Sequence, residues 1–259
     1  MHRKFTKGGE GAAPSTRQTV VMAWSRFTLA GARGRSLSTD AVRYGPGLPP
    51  EGDLRLLGQV AGKRILDLGC GAGAGAIALA AAGARVIAID EAAANANATR
   101  ESADRAGVRV ETHHGLLADL AFVRADSIDA AVSSYGLAGL DDIDRVFRQV
   151  HRVLREDRPF VFSLPHPAFN MLDPTDPVPR VRRAWWDASP VAWSADGDGA
   201  PADRPRTLAS LFTSLARANF RVDALAEPPA DEVGAGPSWC EALRWVPPTL
   251  VIRARKQGL

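Results

Sequence analysis

The stretch that decides the fold is residues 63–92, KRILDLGCGAGAGAIALAAAGARVIAIDEA. Two apolar runs, RILDLG and RVIAID, enclose glycines at Gly69, Gly71, Gly73 and Gly75 and an alanine-rich segment closed by Gly83. Glycine is costly inside regular structure, so this density marks a backbone that turns tightly or is closely approached. A strand, glycine loop and helix in that order are expected to present backbone N–H groups and the positive end of a helix to a nucleotide-like ligand. Gly71-Ala-Gly73-Ala-Gly75-Ala76 satisfies the loose form of a dinucleotide fingerprint, which alone does not say which nucleotide.

Two acids sharpen the reading. Asp67 stands two residues before Gly69, at the end of the first apolar run, and Asp90 ends the second, 17 residues after Gly73. A carboxylate at the latter point accepts both hydroxyls of a ribose. The competing structural role for Asp90 is as the cap of a helix opening EAAANANA.

Outward from this core the alternation continues. VRVETHH, SIDAAVSSYG and PFVFSLP read as strands, and LDDIDRVFRQVHRVLRE as a long amphipathic helix. Short apolar strands between helices predict a parallel, doubly wound α/β sheet. The pattern breaks over residues 165–205, which are rich in proline and carry paired tryptophans. It resumes with a helix in TLASLFTSLARANF and strands in RVDALAEP and TLVIRARK. The link between the last two strands lacks helical periodicity, which predicts an antiparallel C-terminal pair.

Composition bounds the rest. The 259 residues suit one large domain, and 46% hydrophobic with 24% charged content is ordinary for a globular chain. The net charge is +3, with 28 arginines against four lysines interleaved with acids, which describes a mixed solvated surface and no nucleic-acid patch. Cys70 and Cys240 form no CxxC pair, so neither a metal cluster nor a disulfide framework is expected. Residues 1–18 are basic, glycine-rich and without an apolar core, and read as a disordered tail. No apolar run is long enough for a membrane span and no signal-peptide pattern follows, so the expected location is cytoplasmic.

ILDLGCGAG…VIAID resembles the glycine motif and second-strand acid of class I S-adenosylmethionine-dependent methyltransferases. DSIDAAVSSYGLAGLDDIDRVFRQVHRVL resembles that family's fourth strand and following helix. PFVFSLPHPAF, RTLASLFTSLARANFRVDALAEP and PPTLVIRARK resemble the later parts of a bacterial small-molecule subgroup whose substrates are mostly unassigned. The resemblance covers roughly residues 41–256. It implies a Rossmann-like, mostly parallel seven-stranded sheet with helices on both faces. It also implies one methyltransferase domain over residues 19–259, with an N-terminal cover (19–52) and a substrate-side loop insertion (165–205).

Carried over position by position, the resemblance implies that Asp67, Gly69, Gly71 and Gly73 cradle the methionine part of S-adenosyl-L-methionine. Asp90 takes the ribose hydroxyls with Glu91 beside it. Ser133, Ser134 and Tyr135 face the methionyl end and the substrate. Cys70 lies inside the motif and reads as a small buried filler. Three departures stand out. The family often has an acid after strand three that receives the adenine amino group, and here that position is Leu116. Leu117 still offers a backbone N–H to the ring, and Asp119 is a candidate substitute for the acid. The usual Pro-Gly-Gly turn before strand five is Glu156-Asp157-Arg158, with a structural consequence expected. Gly75 and Ala76 give the first helical turn little side chain, so the methionine carboxylate needs another partner, such as an arginine of the N-terminal segment.

Methyl transfer from a sulfonium is an in-line displacement in which the protein aligns the acceptor and excludes water. If the acceptor is a hydroxyl, a general base helps. His166, after strand five, is the candidate base, and its alternative role is to shape a turn between two prolines. Tyr135 orients substrate or packs over the cofactor. His113 and His114 are weaker candidates, and His151 reads as packing. Trp185, Trp186 and Trp193 form an apolar cap over the substrate or anchor the loop, and Tyr44 closes the opposite side. No metal is expected, the partner is a small molecule, and the oligomeric state is not legible. The rival functions are a non-catalytic cofactor-binding or regulatory protein and an NAD-dependent oxidoreductase.

Overall fold

A computed structural model describes residues 38–45, 47–173, 178–192, 202–231 and 240–258. The first strands follow directly from the apolar runs. β1 (Arg64–Leu68), β2 (Arg85–Asp90), β4 (Ala130–Ser134) and β5 (Pro159–Pro165) are buried almost throughout, as parallel strands covered on both faces must be. β3 (Val110–His114) lies at one edge and is only partly covered.

The helices start and stop where local chemistry dictates. α1 (Glu51–Leu54) is a single turn after Pro50. α2 (Ala74–Ala81) follows Gly73, whose φ of 88° few other residues adopt. α3 (Ala93–Ala106) ends at the left-handed Gly107, which closes the last turn onto Ala103. α4 (Ile143–Val153) is capped by the Asp142 carboxylate, which accepts from the Arg145 N–H at 2.9 Å. Its Ile143, Val146, Phe147, Val150 and Val153 recur at helical spacing and are buried.

β8 (Phe220–Ala226) follows α6 (Leu208–Arg217), and β9 (Thr249–Lys256) closes the sheet. The order is β3-β2-β1-β4-β5-β9-β8, with β9 antiparallel to both neighbours and the other neighbouring pairs parallel. The expected seven-stranded sheet with an antiparallel C-terminal pair is therefore the observed one. The chain leaves β1 toward β2 and β3, then returns to lay β4 on the other side of β1. The switch point between β1 and β4 opens a crevice at their carboxyl ends.

The described parts of residues 165–205 carry more regular structure than their sequence pattern suggests. Pro167 opens a helical turn, α5 (Pro167–Asn170), where a missing N–H costs nothing. Leu172 bridges Val181, and β6 (Val191–Ala192) pairs with β7 (Ala202–Asp203). At the turn before β5, Asp157 takes a φ of 56° in place of a glycine, and its N–H donates to the Lys256 carbonyl at 3.0 Å. Aspartate tolerates that conformation better than most residues, so the departure is absorbed locally.

The early part of the chain seals the sheet. Tyr44 is fully buried among Ile65, Val161 and Val251, and its hydroxyl donates to Glu51 at 2.8 Å. It is a core anchor, not a residue closing over the site. Burial and the Glu51 charge push its phenol well above the ordinary tyrosine range. The tail at residues 1–18, most of the N-terminal cover and Trp193 lie outside the described residues.

Candidate active site

The glycine loop packs against protein more tightly than a ligand-cradling loop would require. A Cβ on Gly69 would lie 2.5 Å from the Gly136 Cα, and one on Gly136 would lie 2.4 Å from the Leu68 carbonyl oxygen. A Cβ on Gly73 would meet Thr99 at 2.8 Å. The Gly69 and Cys70 N–H groups donate to Ile89, Gly71 to the Asp90 carboxylate at 2.9 Å, and Gly73 to Cys70. These amides are paired within the protein, and the loop closes on itself and on its neighbours.

α3 pins the loop from the other side. The Thr99 hydroxyl donates to the Gly71 carbonyl at 2.9 Å, and the Asn95 amide donates to Asp90 at 3.0 Å. Cys70 sits against Thr99 with Sγ 3.4 Å from Oγ1, and burial holds its thiol protonated. It is a filler, as its place in the motif suggests. Gly136, Asn95 and Thr99 were missed in the sequence. Their only signals were a glycine just past a strand and polar residues four apart on one helical face.

The two acids stand in different states. Asp90 is buried and accepts from Gly71, Ala92 and Asn95, so its Oδ1 is filled and its Oδ2 retains one lone pair. That leaves room for one strong contact, not for two ribose hydroxyls on this carboxylate alone. Asp67 is 5% exposed and receives no hydrogen bond among the described residues. Burial first, then the nearby Asp90 charge, raises its carboxyl to about 7. An unpartnered buried acid is expensive unless something arrives to pair with it.

Ser133 and Ser134 turn away from the crevice. Ser133 donates to the Leu68 carbonyl at 2.6 Å, tying β4 to β1, and Ser134 donates to the Arg43 carbonyl at 2.9 Å. Their hydroxyls are committed to the scaffold. Tyr135 has a φ of 61°, a strained conformation for a bulky residue of the kind that clusters at functional sites. Its hydroxyl lies 2.5 Å from the Thr249 hydroxyl.

His166 is the cap of α5. Its Nδ1 accepts from the Ala168 N–H at 3.1 Å, so the ring proton sits on Nε2, 2.9 Å from the Glu227 carboxylate. A histidine held at both nitrogens has no lone pair for an acceptor's proton. In this arrangement His166 links the ends of β5 and β8. Glu227 keeps its other oxygen free among the described residues.

The remaining candidates sort by packing. His113 stacks on Phe122 at 4.0 Å and meets Glu111, and His151 packs edge-on against Phe220. Trp186 is 81% exposed and covers nothing. Trp185 lines a shallow surface depression with Asn170, Met171, Arg183 and Arg206, next to α5. Leu116 is exposed, and the Leu117 N–H donates to Glu91 at 3.0 Å. Asp119 accepts from the Ala121 N–H and holds its own turn. No group of side chains suited to a metal ion occurs among the described residues, and none of their helices is long and apolar enough to cross a membrane.

A doubly wound sheet with a glycine turn, two end-of-strand acids and a crevice at the β1/β4 switch point defines a nucleotide-cofactor protein. Residues 65–157 match the family described as a methyltransferase domain. No curated protein matches the sequence. The structure is similar to an S-adenosylmethionine-dependent methyltransferase from Mesorhizobium loti, with a TM-score of 0.66, 26% identity, and 79% of this chain and 96% of that one covered. It is also similar to a Methanosarcina mazei protein described as a SAM-dependent methyltransferase (TM-score 0.59, 19% identity, 81% and 98% covered). A third likeness is to geranyl diphosphate C-methyltransferase from Streptomyces coelicolor A3(2), solved with Mg2+, geranyl diphosphate and S-adenosyl-L-homocysteine (0.57, 14%, 80% and 78%). The last two speak for the fold alone.

The match over residues 65–157 and the likeness to the Mesorhizobium loti enzyme support a class I S-adenosylmethionine-dependent methyltransferase, with S-adenosylmethionine as the cofactor. The residues present fit that cofactor: the buried Asp67 carboxylate has no hydrogen-bond partner among the described residues, and a cationic ligand supplies one.

Proposed function

We propose that the enzyme transfers a methyl group to a small-molecule acceptor that enters over the carboxyl ends of β4 and β5. The observation that carries this is Asp67, a buried acid without a partner among the described residues, at the end of the central strand. S-adenosylmethionine supplies an electrophilic methyl on a sulfonium centre, and it carries the positive charge Asp67 lacks. In this reading Asp67 pairs with the cationic methionyl end. The free lone pair of Asp90 meets one ribose hydroxyl, with Glu91 beside it. Gly69, Gly71, Gly73 and Cys70 hold the shape of the wall, as do Ser133 and Ser134, without donating their own polar groups. Arg43 is an N-terminal arginine whose carbonyl accepts from Ser134, and its guanidinium meets Asp40 at 3.5 Å.

The acceptor side is bounded by Tyr135 and by the depression next to α5. Arg183 and Arg206 line it, and Trp185 gives it one apolar wall. A hydroxyl acceptor needs a base, and Glu227, steadied by His166, is the carboxylate available at that edge.

The test is incubation with methyl-labelled S-adenosylmethionine and small-molecule extracts of the native cell, with mass identification of the labelled product. Label in a small metabolite that disappears with Asp90→Ala supports the reading. Label confined to protein or nucleic acid overturns it.

A further inference from the structure

We infer that the turn at residues 184–187 is a docking point for an anionic lipid bilayer, on whose surface the protein rests without spanning it. The inference goes beyond methyl transfer and does not depend on which acceptor is used. Residues 178–187 read VPRVRRAWWD. The Asp187 N–H donates to the Ala184 carbonyl at 3.1 Å, which closes a β-turn with Trp185 and Trp186 at its two central positions. The residues that ordinarily fill such positions are small or polar. Trp186 is almost wholly exposed and Trp185 is partly so, and Val178 and Val181, just upstream, are more than half exposed. Each of these side chains forgoes the stabilisation that burial would bring, so the arrangement makes sense only with an apolar phase outside the protein.

The turn is held in this pose from both ends. The Arg182 and Arg183 N–H groups donate to the Met171 carbonyl at 2.7 Å and 3.2 Å, which fixes the upstream side to the end of α5. The Arg183 guanidinium donates to the Ser189 carbonyl at 2.6 Å and meets the Asp187 carboxylate at 3.2 Å, bracing the turn across its base. Downstream, β6 pairs with β7. A turn already fixed loses little conformational freedom on docking.

Charge and shape select the partner. Across residues 178–187 three arginines stand against one aspartate, and that aspartate is already matched by Arg183. Tryptophan beside arginine suits a bilayer interface. The indole sits at headgroup level with its ring in the apolar layer, and the guanidinium meets lipid phosphates while its stem lies along apolar surface. The two valines decide between a bilayer and a nucleic acid. A single strand stacks on tryptophan and pairs with arginine, but it offers the valines no apolar phase. A specific protein partner needs a broad face of about 800 Å² per side, whereas a bilayer accepts a protruding turn without a shape of its own. Arg183 and Trp185 also line the depression beside α5, so a docked turn brings that depression against the headgroups.

Co-sedimentation of the whole chain with vesicles tests the inference. The probes are phosphatidylcholine alone, phosphatidylcholine with equimolar phosphatidylglycerol, and, in a parallel binding assay, a single-stranded RNA oligonucleotide. The wild type is expected to bind the anionic vesicles, to bind the neutral ones more weakly, and to lose affinity as salt is added. Trp186→Ala should weaken binding to anionic vesicles by at least about tenfold. Arg180→Gln should weaken it by about fivefold. Both side chains are exposed, so thermal unfolding should show both variants to be as stable as the wild type. Phe212→Ala removes an exposed ring on α6, outside the turn, and should leave binding unchanged. Absence of binding to anionic vesicles overturns the inference. Binding that Trp186→Ala leaves intact also overturns it, because the contact then lies elsewhere in the chain. A loss with Phe212→Ala as large as with Trp186→Ala does the same, because it marks unspecific adhesion. RNA binding that depends on Trp186, with vesicles ignored, assigns the turn to a nucleic acid instead.

Discussion

Asp67 and Asp90 end neighbouring strands and are both buried, yet Asp90 accepts three hydrogen bonds and Asp67 none among the described residues. The two carboxylates therefore divide one task. Asp90 fixes the glycine turn to the start of α3, and Asp67 waits for a charge.

The Asp67 carboxyl is raised to about 7, so its proton is still partly held at neutral pH. A bound cation favours the ionised form, so cofactor affinity should rise with pH up to about 7 and then level off. Binding at pH 6 should release a proton, which titration calorimetry in buffers of different ionisation enthalpy will count. Asp67→Asn should flatten the profile and bind weakly at every pH. A pH-independent affinity in the wild type would sink this account.

The same shift bears on stability with the opposite sign. The folded state holds the Asp67 proton more tightly than the unfolded chain, whose carboxyl titrates near 3.8. The contribution of this group is thus most favourable below the unfolded value. It declines as pH rises through the window to about 7, and is constant above it. Without ligand, Asp67→Asn should therefore be more stable than the wild type at pH 8, by a few kcal/mol at most. Urea denaturation at pH 5 and pH 8 measures the difference, and an equal change at both values would exclude Asp67 as its source.

The fold was legible because its signals are local. Apolar strands, the alanine-rich α2 and the spacing of Val146, Phe147 and Val150 each announce themselves within a dozen residues. Much of the candidate site was not, because it depends on what a polar atom touches. Nothing in SLPHP says that the His166 ring is spent on Ala168 and Glu227, which lie on different elements. Nor does VSSYG reveal that Ser133 and Ser134 face the scaffold. Gly69 invited a ligand-based explanation, and its actual neighbour, Gly136, lies 67 residues away in the chain.

His166 should behave as a ring fixed in one orientation. Nitrogen-proton correlation spectra are expected to show its proton on Nε2, and His166→Asn, which can still cap α5, should be better tolerated than His166→Phe. If the base in turnover is Glu227, then Glu227→Gln should lower kcat by about 10²–10⁴-fold once an acceptor is known, with KM little changed. A comparable loss in His166→Asn with Glu227→Gln nearly unaffected would return the role to the histidine.

Gly136 offers the sharpest steric test. Its missing Cβ leaves room for the Leu68 carbonyl and the Gly69 Cα, which would lie 2.4 Å and 2.8 Å from an added methyl. Both are backbone atoms of a central strand and its turn, so neither can yield cheaply. Gly136→Ala should cost about 3 kcal/mol. It should also weaken S-adenosylhomocysteine binding, because the shift it forces runs through Leu68 into the loop beside Asp67. Gly52→Ala, where an added methyl meets nothing within 4 Å, is the control and should leave both properties unchanged. If Gly136→Ala loses stability but binds the ligand normally, the close packing of Gly69 on Gly136 serves the fold alone.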